Sequence, residues 1–439
     1  MILADEEQAR EVTPGYVAIA GGSIVAVGAG KPESGLGMGA RVLDAEHMAV
    51  MPGMVNAHTH LSQTFLRGLA DDRPLLRWLR EIIWPAQAAL TPEDMYLAAL
   101  LGLVENLRCG ATTVVQHQKL PGRQHMAATA RAAEQLGVRL VLARGWADLG
   151  PGGEPAEQIL DNLAWLHDEW HGAAAGRIRA ANGPMTPWRC SDAALRSSVA
   201  LARAWGLPTH IHVAEAANEI ELLQARCGKR HVEWLAALGC LGPDLQLVHA
   251  VHLSEDELDL VAQARATVIY CPTSNMYLAS GAARVPAMLQ RGIRVVLGTD
   301  GPGSNNSQDL LECAKIGALL AKHAAGDAQA VLPDDIMRML RGAPAGQAPA
   351  GATSGRPAGL CAGAPADVIL VDLNSARSQP VHRAISAIVY NASGADVRTV
   401  VVDGRILIDD GHLTVLDEKA LLEECRAAAR ALVRRAGIA

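Results

Sequence analysis

Two histidines separated by one residue stand in Asn56-Ala57-His58-Thr59-His60. In an extended chain, positions i and i+2 point to the same side, so His58 and His60 can address one ion together. Imidazole is the commonest ligand for zinc-like ions. Taken alone, the pair is equally well explained by two hydrogen-bonded histidines in a turn. Three further segments change that balance. His210-Ile211-His212-Val213-Ala214-Glu215, Leu247-Val248-His249-Ala250-Val251-His252 and Leu297-Gly298-Thr299-Asp300-Gly301 each bring His or Asp to the end of an apolar run. A solvated polar residue accounts for any one of these and accounts poorly for all of them. Three imidazoles and one carboxylate leave a coordination position open for water, and a zinc-type ion lowers the pKa of that water to ≈ 7. Glu215 is placed to take its proton, and His249 to polarise or orient it. The chemistry expected is hydrolysis by a metal-activated hydroxide.

Such groups need a scaffold that gathers strand ends. Short apolar strands alternate with longer helical segments: Thr112–Val115, Arg139–Ala143, Thr209–Val213, Gln246–His249, Thr267–Cys271 and Arg294–Gly298. Continuous apolar strands between helices indicate a parallel sheet covered on both faces. Repetition over most of the chain favours a (β/α)8 TIM-like barrel, whose reactive groups lie at the C-terminal strand ends. The flanks read as β. Tyr16–Ala20, Gly21-Gly22 and Ser23–Val27 signal a hairpin. Ala366–Asp372, Val397–Gly404 and Arg405–Ile408 are strand-like, and 417–435 reads as a helix. The expected layout is an N-terminal β part (1–52), a metal-dependent barrel (53–344) and a C-terminal β part with a terminal helix (345–439). The two β parts would join as one small composite domain. The Ala-, Gly- and Pro-rich stretch 341–365 reads as a loop or linker.

The bulk properties exclude several classes. The chain has 439 residues, half of them hydrophobic and 19% charged, a globular composition able to bury a large core. Its net charge of −7 argues against a nucleic-acid partner, which needs a basic face. No apolar run approaches the roughly 18 residues of a membrane-spanning helix. The acidic start lacks the apolar stretch of a signal peptide. Eight scattered cysteines form no C-x-x-C pair, which suits a reducing compartment. The expected location is cytoplasmic.

The string Met51-Pro52-Gly53-Met54-Val55-Asn56-Ala57-His58-Thr59-His60, followed in order by His212, Glu215, His249 and Asp300, resembles the amidohydrolase superfamily. It is most similar to the branch that holds atrazine chlorohydrolase, melamine deaminase and the methylthioadenosine/S-adenosylhomocysteine deaminases. Ser274–Gly281 and Gly298–Asn306 strengthen the resemblance, which spans nearly the whole chain. It implies that His58, His60, His212 and Asp300 bind one Zn²⁺ or Fe²⁺, with His212 selected over a structural His210. It implies that Glu215 carries a proton to a ring nitrogen, that His249 holds the attacking hydroxide and that Asp300 shares in proton transfer. Two-metal relatives bridge their ions with a lysine. Arg177–Asn182, the corresponding stretch, has none. Substrate contacts implied in the same way are Trp78, Gln87, Arg144, Met185, Asn275 and Ser304. Gln87 is like the triazine enzymes, whereas Ser304-Asn305-Asn306 is like the nucleoside deaminases. The implied substrate is a small nitrogen heterocycle such as an aminopurine, pterin or s-triazine, and the implied assembly a homo-oligomer, a dimer or larger. Hydrolysis of a cyclic amide or imide is the alternative reaction, and an inactive metal-binding member of the family the remaining one.

Overall fold

The computed structural model describes residues 2–3, 11–33, 39–69, 71–342 and 359–438. Eight parallel strands form the centre: β1 (Met54–Thr59), β2 (Ala111–Gln118), β3 (Arg139–Trp146), β4 (Ile178–Pro184), β5 (Thr209–Val213), β6 (Leu245–His249), β7 (Thr267–Tyr270) and β8 (Arg294–Leu297). They pair in sequence order. The ring meets where the Asp300 N–H donates to the His58 carbonyl at 3.0 Å. This is the expected (β/α) barrel, with helices between successive strands.

Strands of this kind are buried on both faces, and β2, β3, β5 and β6 are buried at every position. Ala57, Val248, Ile269, Cys271 and Val296 pack as one apolar cluster. Val115, Val141, Ala143 and Ala181 form a second. These residues fill space between strands, so the polar residues are left to the strand ends.

The flanking β elements combine as expected. Met48–Pro52 pairs antiparallel with Val368–Asp372, Val50 opposite Leu370. The sheet continues through Val397–Val402, Arg405–Asp409 and His412–Leu413 on one side and through Ile2–Leu3 and Glu11–Val12 on the other. Gly15–Ala20 and Ser23–Ala29 form the hairpin, with Gly21 and Gly22 both at positive φ as a tight hairpin turn requires. Arg139, at the start of β3, pairs with Asp367 and Asp403 and ties the barrel to this sheet. The terminal helix runs Glu418–Ala436, with the Asp417 side chain capping its first turn. Most of the Ala/Gly/Pro-rich stretch (343–358) lies outside the described residues. No disulfide joins any of the eight cysteines. Among the described residues no helix is long and apolar enough to cross a membrane.

Candidate active site

The barrel brings His58, His60, His212, Glu215, His249 and Asp300 to one end. His58 is in β1 and His60 follows it; His212 is in β5, His249 closes β6, and Asp300 follows β8. Ala214, His249, Ala250 and Asp300 all adopt left-handed backbone. Non-glycine residues rarely do so, and such strain concentrates where a fold must aim side chains.

The hydrogen bonds fix which ring nitrogens face inward. Nδ1 of His60 meets the His117 carbonyl, and Nδ1 of His212 meets the Met185 carbonyl at 2.7 Å. A carbonyl only accepts, so each Nδ1 carries the proton and each Nε2 presents a lone pair. Those two Nε2 atoms lie 3.4 Å apart. Asp300 Oδ1 is 3.1 Å from Nε2 of His60 and 3.4 Å from Nε2 of His58. Nε2 of His58 is buried without a hydrogen-bond partner among the described residues. Lone pairs and a carboxylate oxygen aimed at one point repel one another unless a cation lies among them. The donor set therefore fits a metal ion, and His58, His60 and Asp300 meet within coordinating reach.

Electrostatics agree. Burial pushes the His58 and His212 imidazoles well below their usual pKa, which keeps them neutral ligands. Burial alone would raise Asp300, but a proton on the facing nitrogens of His58 and His60 outweighs it and holds the carboxyl well below the usual range. Its second oxygen accepts from Ser274 Oγ at 2.6 Å and Ser304 Oγ at 3.1 Å.

Glu215 behaves oppositely. Burial, then the neighbouring charges of Glu219 and Asp300, push its carboxyl well above the usual range. Its Oε2 lies 3.4 Å from Nε2 of His249, and its Oε1 has no hydrogen-bond partner among the described residues. Asn275 Nδ2 lies 3.0 Å from Nδ1 of His249. An amide N–H there donates to Nδ1, so the ring proton sits on Nε2, toward Glu215. Proton affinity raised by burial, beside a donor and near the His/Asp cluster, suits proton transfer.

The remaining expected contacts fall in different places. Gln87 is half-buried on the helix Trp84–Ala89, and its side chain makes no hydrogen bond among the described residues. Met185 contributes through its backbone, orienting His212. Asn275 orients His249. Trp78, Arg144 and Ser304 each make an internal contact. The Trp78 indole is buried and donates to the Gly303 carbonyl at 3.0 Å. Arg144 is buried against Glu154. The Ser304 hydroxyl is fully buried on Asp300.

Two supports, His117 and Glu219, were missed from sequence; His210, read there as structural, stands beside them. His117, on β2, stacks on His212 at 4.6 Å between ring centroids. His210 bridges His58 and Gln246. The buried Glu219 carboxylate accepts the N–H groups of Glu215 and Ala216 and the Trp188 indole. His117 was within reach, since the strand Thr112–Val115 simply continues through it; nothing local marks Gln246 or Glu219.

Fold and site define the class: an α/β-barrel hydrolase whose residues are set out to hold a metal ion. Residues 49–407 match the amidohydrolase family, and the chain belongs to it, with hydrolytic activity on C–N bonds. It is 41% identical to a 5'-deoxyadenosine deaminase of Methanothermobacter thermautotrophicus over 89% of both chains. It is 40% identical to a 5-methylthioadenosine/S-adenosylhomocysteine deaminase of Pelotomaculum thermopropionicum, over 96% of this chain and 94% of the other. Among solved structures, a zinc-bound adenosine deaminase from Xanthomonas campestris superposes with a TM-score of 0.90 at 30% identity, covering 99% and 97% of the two chains.

Proposed function

We propose that this chain hydrolytically deaminates the heterocycle of an adenosine-type nucleoside. The observation that carries the reading is the placement of Glu215, with its raised proton affinity, between His249 and the His/Asp cluster. His58, His60, His212 and Asp300 would hold one divalent ion, for which zinc suits three imidazoles and a carboxylate. When bound, the ion supplies an activated water and Lewis acidity. Glu215 would take a proton from the attacking water and deliver it to a ring nitrogen. His249, held by Asn275, orients the attacking oxygen. A C–O bond forms at the amino-bearing ring carbon, the remaining proton of the added hydroxyl passes to the amino group, and the C–N bond breaks to release ammonia and leave a ring carbonyl.

Relatives named for 5'-deoxyadenosine and for methylthioadenosine deamination support this substrate class. The charge of Arg144 is met by Glu154 within the protein, which suits a substrate without a carboxylate. Cyclic amide or imide hydrolysis receives no comparable support. In β4, Asn182 is committed to Trp146, Ser198 and Thr209, and no lysine occurs in the strand. The test is an ammonia-release screen over adenosine-type nucleosides, an s-triazine and a cyclic imide, with metal analysis on the same sample. Ammonia from nucleosides is the expected result; a new carboxylate from the imide, without ammonia, would contradict it.

A further inference from the structure

A carboxyl that passes a proton must be aimed, and Glu215 stands on a turn between two elements. β5 ends at Val213, and the next helix runs Ala217–Cys227. The three residues between them send their amide N–H groups to side chains. Ala214 donates to Nδ1 of His231 at 2.9 Å, and Glu215 and Ala216 donate to Glu219 Oε2 at 3.0 and 3.1 Å. Glu219 lies in the first turn of the helix that follows, so its support is local. His231 comes from farther away. It opens the helix His231–Ala237 and reaches back 17 positions to Ala214.

The His231 ring is fully buried. An amide N–H only donates, so Nδ1 accepts and the ring proton sits on Nε2, which donates to the Glu219 carbonyl at 3.1 Å. One neutral imidazole thus joins the residue before Glu215 to the residue that holds Glu215 from the other side. Both ring nitrogens are used in this way, and neither bonds to the His/Asp cluster. Ala214 is where the support counts. Its φ of 49° is left-handed, a conformation that an alanine keeps only where its surroundings over-determine it. His231 fixes its N–H, and its carbonyl accepts from the His252 N–H at 3.0 Å. With the chain turned so, Glu215 Oε2 lies 3.4 Å from Nε2 of His249. Relaxation of Ala214 to ordinary backbone would rotate the next peptide and carry the Glu215 carboxyl off its line.

We propose that His231 is a positioning residue for proton transfer: by accepting the Ala214 N–H, its Nδ1 holds the left-handed turn that aims Glu215. The inference rests on the function proposed above. It assigns the effect to one nitrogen, which separates it from a histidine that merely fills space.

The test compares two amides. In His231→Asn the side-chain oxygen can take the place of Nδ1 and accept from Ala214. In His231→Gln the longer side chain carries its amide to the place of Nε2, where it serves Glu219 alone. Zinc-loaded variants are given 5'-deoxyadenosine, and kcat, KM, metal content and melting temperature are measured. The kcat of the Asn variant should exceed that of the Gln variant about 10-fold or more, as expected when a reacting group is displaced. KM and metal content should be alike in the two. In a Glu215→Gln background the two should turn over equally, because the group being aimed is gone. Equal kcat in the two single variants, or the same difference persisting in the Glu215→Gln background, would overturn the inference while leaving the deaminase reading intact. A kcat that follows the melting temperature instead of the position of the acceptor would make His231 structural and overturn it too. Wild-type protein with full metal and no ammonia from 5'-deoxyadenosine would overturn the deaminase reading and this inference with it.

Discussion

Nε2 of His210 lies 2.8 Å from Nδ1 of His58, and Nδ1 of His210 lies 2.8 Å from Gln246 Oε1. The amide oxygen only accepts, so His210 carries its proton on Nδ1 and offers Nε2 to His58. That makes His58 a donor at Nδ1 and leaves its inward Nε2 as a lone pair. A residue on the neighbouring strand β6 thus sets the tautomer of a proposed ligand two rings away. Partners of this kind are worth about 10–100-fold in metal affinity. Gln246→Leu and His210→Phe should each weaken zinc binding by about that factor in competition with a chromophoric chelator. Wild-type affinity in both variants would show that the relay does not matter.

Glu215 is assigned proton transfer and no share in ligation. Glu215→Gln should retain stoichiometric zinc and lose about 10²–10⁴-fold in kcat. A variant that turned over normally, or one that had lost its metal, would contradict the division of roles.

Glu219 sits behind Glu215 as a buried carboxylate bonded to the backbone N–H groups of Glu215 and Ala216. Its charge helps raise the proton affinity of Glu215, second to burial. Glu219→Gln keeps an acceptor and removes the charge. The Glu215 pKa should then drop, and the acidic limb of the kcat profile, where Glu215 must lose its proton to act as base, should move to lower pH. An unmoved limb would limit Glu219 to holding the backbone.

The histidine cluster makes the metal-free protein acid-sensitive. Burial is the leading cause that lowers His58, His117, His210, His212, His231 and His249, with His210 brought to about 4. As pH falls below the usual histidine value of about 6.5, the unfolded chain takes up protons that the folded chain refuses, so stability falls with pH. For His210 this window runs from about 6.5 down to about 4. Thermal denaturation of chelator-treated protein should show a lower melting temperature at pH about 5.5 than at about 7.5. A flat or rising trend would contradict it.

The residues that gather in the His/Asp cluster could be picked out of the sequence because each is local to a strand end. His-x-His, His-x-x-Glu, a terminal His and a terminal Asp each sit on an apolar run that shows in the sequence. The supports were less visible. Ile178–Pro184 contains Arg, Asn, Gly and Pro, so pairing with β3 imposes an extended form that its composition does not announce. Thr112–Val115 was cut short because Gln116-His117-Gln118 is polar, although all three are buried in β2. The pairing of Arg144 with Glu154 depends on how the loop after β3 folds back, and the contact of Trp78 with Gly303 joins residues 225 positions apart. The composite β sheet was legible in its strands and hairpin.

The most direct test of the account compares one preparation with and without metal. Chelator-stripped protein and the same protein reloaded with one equivalent of zinc are given 5'-deoxyadenosine, and ammonia is measured against nucleoside consumed. The account predicts no ammonia before reloading and one ammonia per nucleoside consumed afterwards. Equal rates in the two samples, or zinc-loaded protein that releases no ammonia, would contradict it.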